Sequence, residues 1–260
     1  MTAIQDAMLA KMSKQMMVDA LHDEGFSEIT MNTSLQTIAD YIRWCGGLRD
    51  ITLACIRKSD SKNVFFTEDE WNAMSANNKS KYVKIGARLR ARKRSVVIAK
   101  DNVKNSNGEL VHYYGCYGVD LKGVQNFSDN SVGLYDITSG LADTKAAIDQ
   151  NSGKKDSQNI LGAPACEVAW SYKAADEDHN QWYLPSIAEL RLIAENRVAI
   201  NAFFSRMFSS DNLLIQDWYW SSTESSAATS WYVFMSNGIS STYNRTNRGR
   251  VRPVCCPSAE

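Results

Sequence analysis

The dipeptide Asn237-Gly238, set between alternating apolar and polar residues, constrains the fold of this chain more than any other short feature. A type I′ turn needs positive φ at both central residues, and Asn followed by Gly meets that need at little steric cost. A two-residue turn there pairs Ser236 with Ile239, Phe234 with Ser241 and Tyr232 with Tyr243. Side chains alternate along a strand, so those six share one face. Trp231, Val233 and Met235 take the other face, opposite Asn244, Thr242 and Ser240. The Trp/Val/Met face is the natural inward one. Tyr232, Phe234, Ile239 and Tyr243 then point outward or toward a partner, the alternative being that a further layer of the protein covers this face. An exposed patch with that aromatic content marks binding.

The surrounding composition agrees with a recognition surface. Residues 221–247 contain fifteen Ser, Thr or Asn, with Trp and Tyr among them. A disordered linker would lack the aromatics, and a core would lack the polar density. Tyr, Ser and Asn with an occasional Trp combine rigid aromatic area with adaptable hydrogen bonding.

These residues also carry a resemblance. Trp220 to Glu224 (W-S-S-T-E), Trp231, Asn237-Gly238 and the closing Arg250 to Val254 (R-V-R-P-V) resemble the variable region of diversity-generating retroelement proteins. Those are ligand binders of phages and gut bacteria with a C-type-lectin-like fold. Trp182 to Ser186 (W-Y-L-P-S), opening a helix, is similar to the same module, as are Phe66 to Trp71 and Lys84 to Arg90. The resemblance implies that a reverse transcriptase randomises adenines in chosen codons of residues 218–254. Variable positions would then fall on Tyr232, Phe234, Ile239, Ser241, Asn244, Thr246, Asn247 and Gly249, and further on Ser225, Ser226, Ala228 and Tyr243. Each of these residue types is reachable from an Asn codon by changing adenines alone.

Bulk properties bound the alternatives. The 260 residues suffice for one large or two smaller domains. Twenty-nine basic residues balance twenty-nine acidic ones, giving zero net charge. That disfavours a general nucleic-acid binder, which needs a basic excess to release counterions. No apolar run approaches a membrane span. The first residues, M-T-A-I-Q-D-A-M-L-A-K-M, lack the basic-then-apolar order of a secretory signal, and no lipid-attachment Cys lies near them. Six cysteines are scattered without a C-x-x-C pair, so reduced thiols are expected and a zinc site of ordinary spacing is not.

Along the chain, Ile4, Met8, Met12 and Met16 recur every four residues in an amphipathic helix predicted over 3–21. Its apolar stripe serves either packing within a small domain or attachment and oligomerisation. A second helix is predicted from Thr33, capped by Thr33 and Gln36 and stopped at Gly46-Gly47. Residues 1–60 are read as a helical module and 61–260 as the ligand-binding domain. Thr67 with Glu70, and Ser186 with Glu189, are capping boxes that open helices. The second is predicted to run to about Met207. Ala87, Leu89 and Ala91 alternate with Arg88, Arg90 and Arg92 in a strand whose charges protect an edge. Residues 101–165 read as loops and short strands with few helices, and 163–174 as a helix. The class is α+β, which agrees with the C-type-lectin-like resemblance.

No catalytic constellation is legible. Asp176 to His179 is an acidic loop, read as solvated because calcium needs several oxygens at defined spacing. The expectation is therefore a non-enzymatic binder without metal or cofactor. A phage tail-tip receptor binder, assembled in the host cytoplasm, would meet a host surface protein or glycan. Its N-terminal module would join the tail or another display structure, with homo-oligomerisation open. A bacterial surface adhesin of the same fold, or a formylglycine-generating-type enzyme, are the alternatives.

Overall fold

The computed structural model of the chain describes residues 13–23, 30–33, 50–90, 95–124, 126–128 and 138–256. Ile4, Met8, Met12 and the helix expected to follow Thr33 lie outside the described residues. The chain divides into two compact units, residues 1–50 with 90–94, and residues 51–89 with 95–260.

In the first unit, helix α1 (Lys14–Asp23) is the described element before residue 50. Met16, the described member of the Met stripe, is 56 % exposed, whereas Met17 and Val18 are buried. Arg90 pairs with Asp50 at 3.0 Å.

The second unit is α+β. Strands β1 (Asp50–Arg57), β2 (Asn63–Phe66), β3 (Tyr82–Arg90), β4 (Ser95–Ala99) and β10 (Val254–Cys255) form one sheet in the order β10-β4-β3-β1-β2. β1 lies between β3 and β2, so residues 51–57 belong to this sheet and not to the helical module in which 1–60 placed them. β3 is internal, so its arginines guard no edge. Arg88 covers a face instead: its guanidinium lies 3.9 Å from the Phe65 ring centroid, while Ala87 and Leu89, on the other face of the strand, are buried.

Helix α2 (Glu68–Ala73) begins on the expected box, with the Thr67 side chain accepting from Glu70 N–H and Glu70 accepting from Thr67 N–H. A short α3 (Ala76–Lys79) follows. Helix α4 (Gly140–Asn151) is not legible in the sequence, because its apolar residues form no clear stripe and Ser139 makes no side-chain cap bond. Tertiary contacts support it: Ala147 joins the core, and Thr144 Oγ1 accepts from Leu184 N–H at 3.1 Å. Helix α5 (Pro164–Trp170) is shorter than the predicted 163–174. The Ser186–Glu189 box opens α6 (Ile187–Glu195) as expected, and α7 (Arg197–Met207) ends at the expected residue. One predicted helix is two, broken where Asn196 leaves helical geometry at ψ 11° and turns its amide back onto the Leu192 carbonyl.

The remaining strands are β5 (His112–Tyr113), β6 (Trp218–Ser226), β7 (Thr229–Phe234), β8 (Ser240–Asn244) and β9 (Arg248–Gly249). β6-β7-β8 make a three-stranded sheet and β5-β9 a two-stranded one. One core cluster collects Tyr114, Leu121, Leu184, Trp220, Tyr232 and Val251; another packs Ile56, Ile85, Val97, Trp182 and Cys255. Cys55, Cys116, Cys166 and Cys255 are buried thiols, and Cys256 is an exposed one. Burial pushes the thiols of Cys55 and Cys116 up to about 12. Among the described residues no helix is long and apolar enough to cross a membrane.

Candidate functional site

The β7–β8 hairpin differs from the predicted one in its turn. Tyr232 pairs with Ser241 and Val233 with Ser240, and Phe234 N–H donates to Ile239 at 2.8 Å. The loop is therefore four residues, Met235 to Gly238, closed by Gly238 N–H on the Phe234 carbonyl at 2.9 Å. Gly238 has φ +74°, and Asn237 has ordinary negative φ, so the turn is not type I′. Asn237 instead accepts Ile239 N–H through its side chain at 3.1 Å. Met235 drives the change, because it is fully buried and its N–H donates to Asp217. A register shift of two residues preserves faces, since the side-chain period is two. Tyr232, Phe234, Ile239, Ser241 and Tyr243 share a face as expected, and Trp231 and Val233 take the opposite one.

That shared face is not uniformly open. Trp218 and Trp220 on β6 pair with Phe234 and Tyr232, which adds two indoles to it. Trp218 stacks on Tyr232 with centroids 3.9 Å apart, and Tyr232 stacks on Tyr243 at 4.8 Å with planes 5° apart. The three rings form a ladder across β6, β7 and β8. Its middle rung, Tyr232, is only 8 % exposed, which corrects the expectation of an outward side chain. Burial, and then its neighbour Tyr243, raises the Tyr232 phenol above its ordinary range. The last rung, Tyr243, is 40 % exposed on β8, an edge strand, and Ile239 at the hairpin end is 55 % exposed. Phe234 and Ser241 are half-buried.

The other candidate positions gather at the opposite end of β7 and β8. Ser225, Ser226 and Ala228 lie at the β6–β7 turn, where Ser226 Oγ accepts from the N–H groups of Ala228 and Thr229. Asn244 pairs with Thr229, and its side chain accepts from Thr246 N–H at 2.9 Å. Asn247 N–H closes the same turn on the Asn244 carbonyl. Ile239 and Asn244 stand at opposite ends of β8, roughly 17 Å apart over five extended residues, and Tyr243 adjoins Asn244. Gly249 does not join either group. It is buried, and a Cβ there would meet the Trp220 indole nitrogen at 2.9 Å.

Two supports are not legible in the sequence. Arg245 lies between candidate positions Asn244 and Thr246, yet it is fully buried. Its guanidinium pairs with Glu224 and donates to Ser230 Oγ and to the carbonyls of Cys116, Val119 and Ala227. Burial raises the Glu224 carboxyl, and the Arg245 charge opposes that shift. An Arg inside a run of Asn and Thr is the signal that could have found it, because Arg alone there offers five fixed donors. The second is a pocket of about 510 Å³ beside Thr246, lined by Tyr113, Gln158, Asn159, Ile160, Leu161 and Pro164. Its loop comes from a stretch read only as turn-rich.

Trp231 is buried as expected, and its indole N–H donates to the Phe127 carbonyl at 2.8 Å. The acidic loop is not simply solvated. Asp176 and His179 are exposed, but the buried Asp178 carboxylate accepts from Ala174 N–H, Asn180 N–H and the Trp182 indole. Among the described residues no three His, Cys, Asp or Glu side chains converge as a metal site.

Comparisons with known proteins bear on this geometry. Residues 135–255 match the family model of the Lcl C-terminal domain. No curated protein matches the chain. Among solved structures, a fimbrial protein from Bacteroides ovatus ATCC 8483 aligns at a TM-score of 0.37 and 16 % identity. That alignment covers 62 % of this chain and 35 % of the fimbrial protein. The residues matched by the family model span β6 to β10 and helices α4 to α7, which hold the aromatic ladder and the Arg245 clamp. Over residues 135–255 the chain is similar to the Lcl C-terminal domain family, and that similarity supports a diversity-generating retroelement variable protein with a C-type-lectin-like domain.

Proposed function

We propose that this protein is a non-catalytic receptor binder whose contact surface is the β8 edge and the two turns flanking it. The observation that carries the reading is a division of labour within one sheet. Phe234, Ile239, Ser241, Tyr243, Ser226 and Asn247 reach solvent, while Trp220 beside them on the same face and Trp231, Glu224 and Arg245 are buried. Such a division lets surface residues change at little cost to stability, which a diversified binder requires. Tyr232 and Gly249 belong to the frame in this reading and not to the variable set.

The ligand is a host surface protein or glycan, and the protein is carried by a phage tail tip. The N-terminal unit is the attachment module, with the exposed Met16 in an adaptable apolar surface. Three experiments test this. Binding of the labelled protein to intact host cells should fall on Tyr243→Ala and Ile239→Asp, with cooperative melting retained. Full binding by both variants would exclude the β8 edge. The flanking DNA should hold a near-copy of the codons for residues 218–254 that differs at adenines, beside a reverse transcriptase gene. Finding neither would remove diversification and leave binding to stand on the cell assay. Immunogold labelling of phage particles separates a tail-tip protein from a bacterial surface adhesin.

A further inference from the structure

A second pocket, also of about 510 Å³, is lined by Trp71, Lys79, Tyr82, Lys84, Lys100 and Phe208. None of these residues belongs to the β8 edge or its turns. Three ammonium-bearing side chains and three aromatic residues line it together. Lys84 Nζ sits 5.1 Å from the Phe208 ring centroid and 5.9 Å from that of Trp71. Lys79 Nζ lies 5.8 Å from the Trp71 ring. Lys84 donates to the Met207 carbonyl at the end of α7, and Lys79 donates to the Asn72 carbonyl at 3.5 Å. Each ammonium has three donors, so each keeps two for another acceptor.

Among the described residues no carboxylate supplies that acceptor. Among the described residues, none of the three lysines forms an ion pair, and the neighbouring Glu68 is taken by Arg206 at 2.7 Å. Lys79, Lys84 and Lys100 are all half-buried. Burial lowers the Lys84 pKa, Cys55 opposes that shift, and the charges of Lys100 and Lys79 add to it. The chain as a whole is neutral, so this excess is local. A concave wall of one charge sign concentrates ions of the other. Aromatic and aliphatic lining with a few convergent polar groups is the make-up of a small-molecule site, and the volume lies within the usual range.

We infer that this pocket binds a small organic acid, a carboxylate carried on a six-membered ring, with the carboxylate on Lys79, Lys84 and Lys100 and the ring body against Phe208 and Tyr82. A sugar acid and an aromatic acid share that chemistry. Glucuronate and benzoate separate them, and glucose serves as the uncharged counterpart. The full chain is titrated with each by calorimetry and by the indole N–H resonance of Trp71. One acid should saturate, shift that resonance, and weaken as salt is raised, because exposed charge pairs are screened. Glucose should do none of these. The Lys79→Ala/Lys100→Gln variant, which spares the Lys84 bond to α7, should bind about tenfold more weakly. The inference fails if neither acid saturates, if glucose matches glucuronate, if salt has no effect on the unaltered protein, or if the variant keeps full affinity.

Discussion

Glu224 and Arg245 form an ion pair from which solvent is wholly excluded, joining the end of β6 to the turn after β8. The pair ties together the two segments that carry Ser225, Ser226 and Ala228 on one side and Asn244, Thr246 and Asn247 on the other. Remaining Arg245 donors hold the carbonyls of Cys116 and Val119, so the loop beneath is held by the same side chain. Removing one partner leaves the other charge buried and unpaired. Arg245→Met should cost about 3–5 kcal/mol in urea denaturation, and the double variant Glu224→Leu/Arg245→Met should recover part of that loss. A single-variant loss below about 1 kcal/mol would mean that water or another group reaches Glu224.

The two faces of β7 are predicted to differ less than the alternation alone suggests. Trp231→Ala should cost about 3–5 kcal/mol, as truncation of a buried aromatic does. Tyr232→Ala should also cost several kcal/mol, on the order of 3, because it opens the middle of the Trp218–Tyr232–Tyr243 stack. Ile239→Ala and Ser241→Ala should stay within about 0.5 kcal/mol. Thermal melts of the four variants check the ranking, and a harmless Tyr232→Ala would show that its burial contributes nothing.

Gly249→Ala should destabilise by about 1–3 kcal/mol, since the new methyl group meets the Trp220 indole at 2.9 Å and that indole is fully buried. A stable Gly249→Ala protein with unchanged Trp fluorescence would return position 249 to the variable set.

Asp143 gives the clearest pH signature. Burial pushes its carboxyl up from 3.8 to about 6, against the Ser139 hydroxyl that donates to it at 2.6 Å. The negative charges of Glu224 and Glu189 add to the rise. A carboxyl raised in the folded state binds its proton more tightly there than in the unfolded chain. Its favourable contribution is complete below about 4 and is lost as pH rises through about 6. Asp143→Asn should therefore melt higher than the unaltered protein above about pH 6, by on the order of 2 kcal/mol, and the advantage should vanish near pH 4. An advantage independent of pH would assign the effect to packing.

A chain beginning at Asp50 should retain the C-terminal unit, because it keeps β1 between β3 and β2. A chain beginning at Ser61 removes that inner strand and should not fold. Circular dichroism melts distinguish the two, and cooperative melting of the shorter chain would show that β1 is dispensable.

Short-range signals are legible in the sequence where one local interaction suffices. Thr67 with Glu70 and Ser186 with Glu189 open helices because each box satisfies two N–H groups within four residues. The faces of β7 and β8 are legible too, since they depend on a period of two and not on the turn. Hydrophobic alternation along β3 is equally plain in Ala87 and Leu89. The turn itself is not, because burial of Met235 outweighs the type I′ preference of Asn237-Gly238. Exposure of Tyr232 is decided by rings on β6 and β8, outside its own strand. Helix α4, the Arg245 clamp and the lysine pocket each join segments far apart in sequence. Periodicity sees one element at a time. Which face is covered, and which charge is left without a partner, is fixed only when distant elements meet.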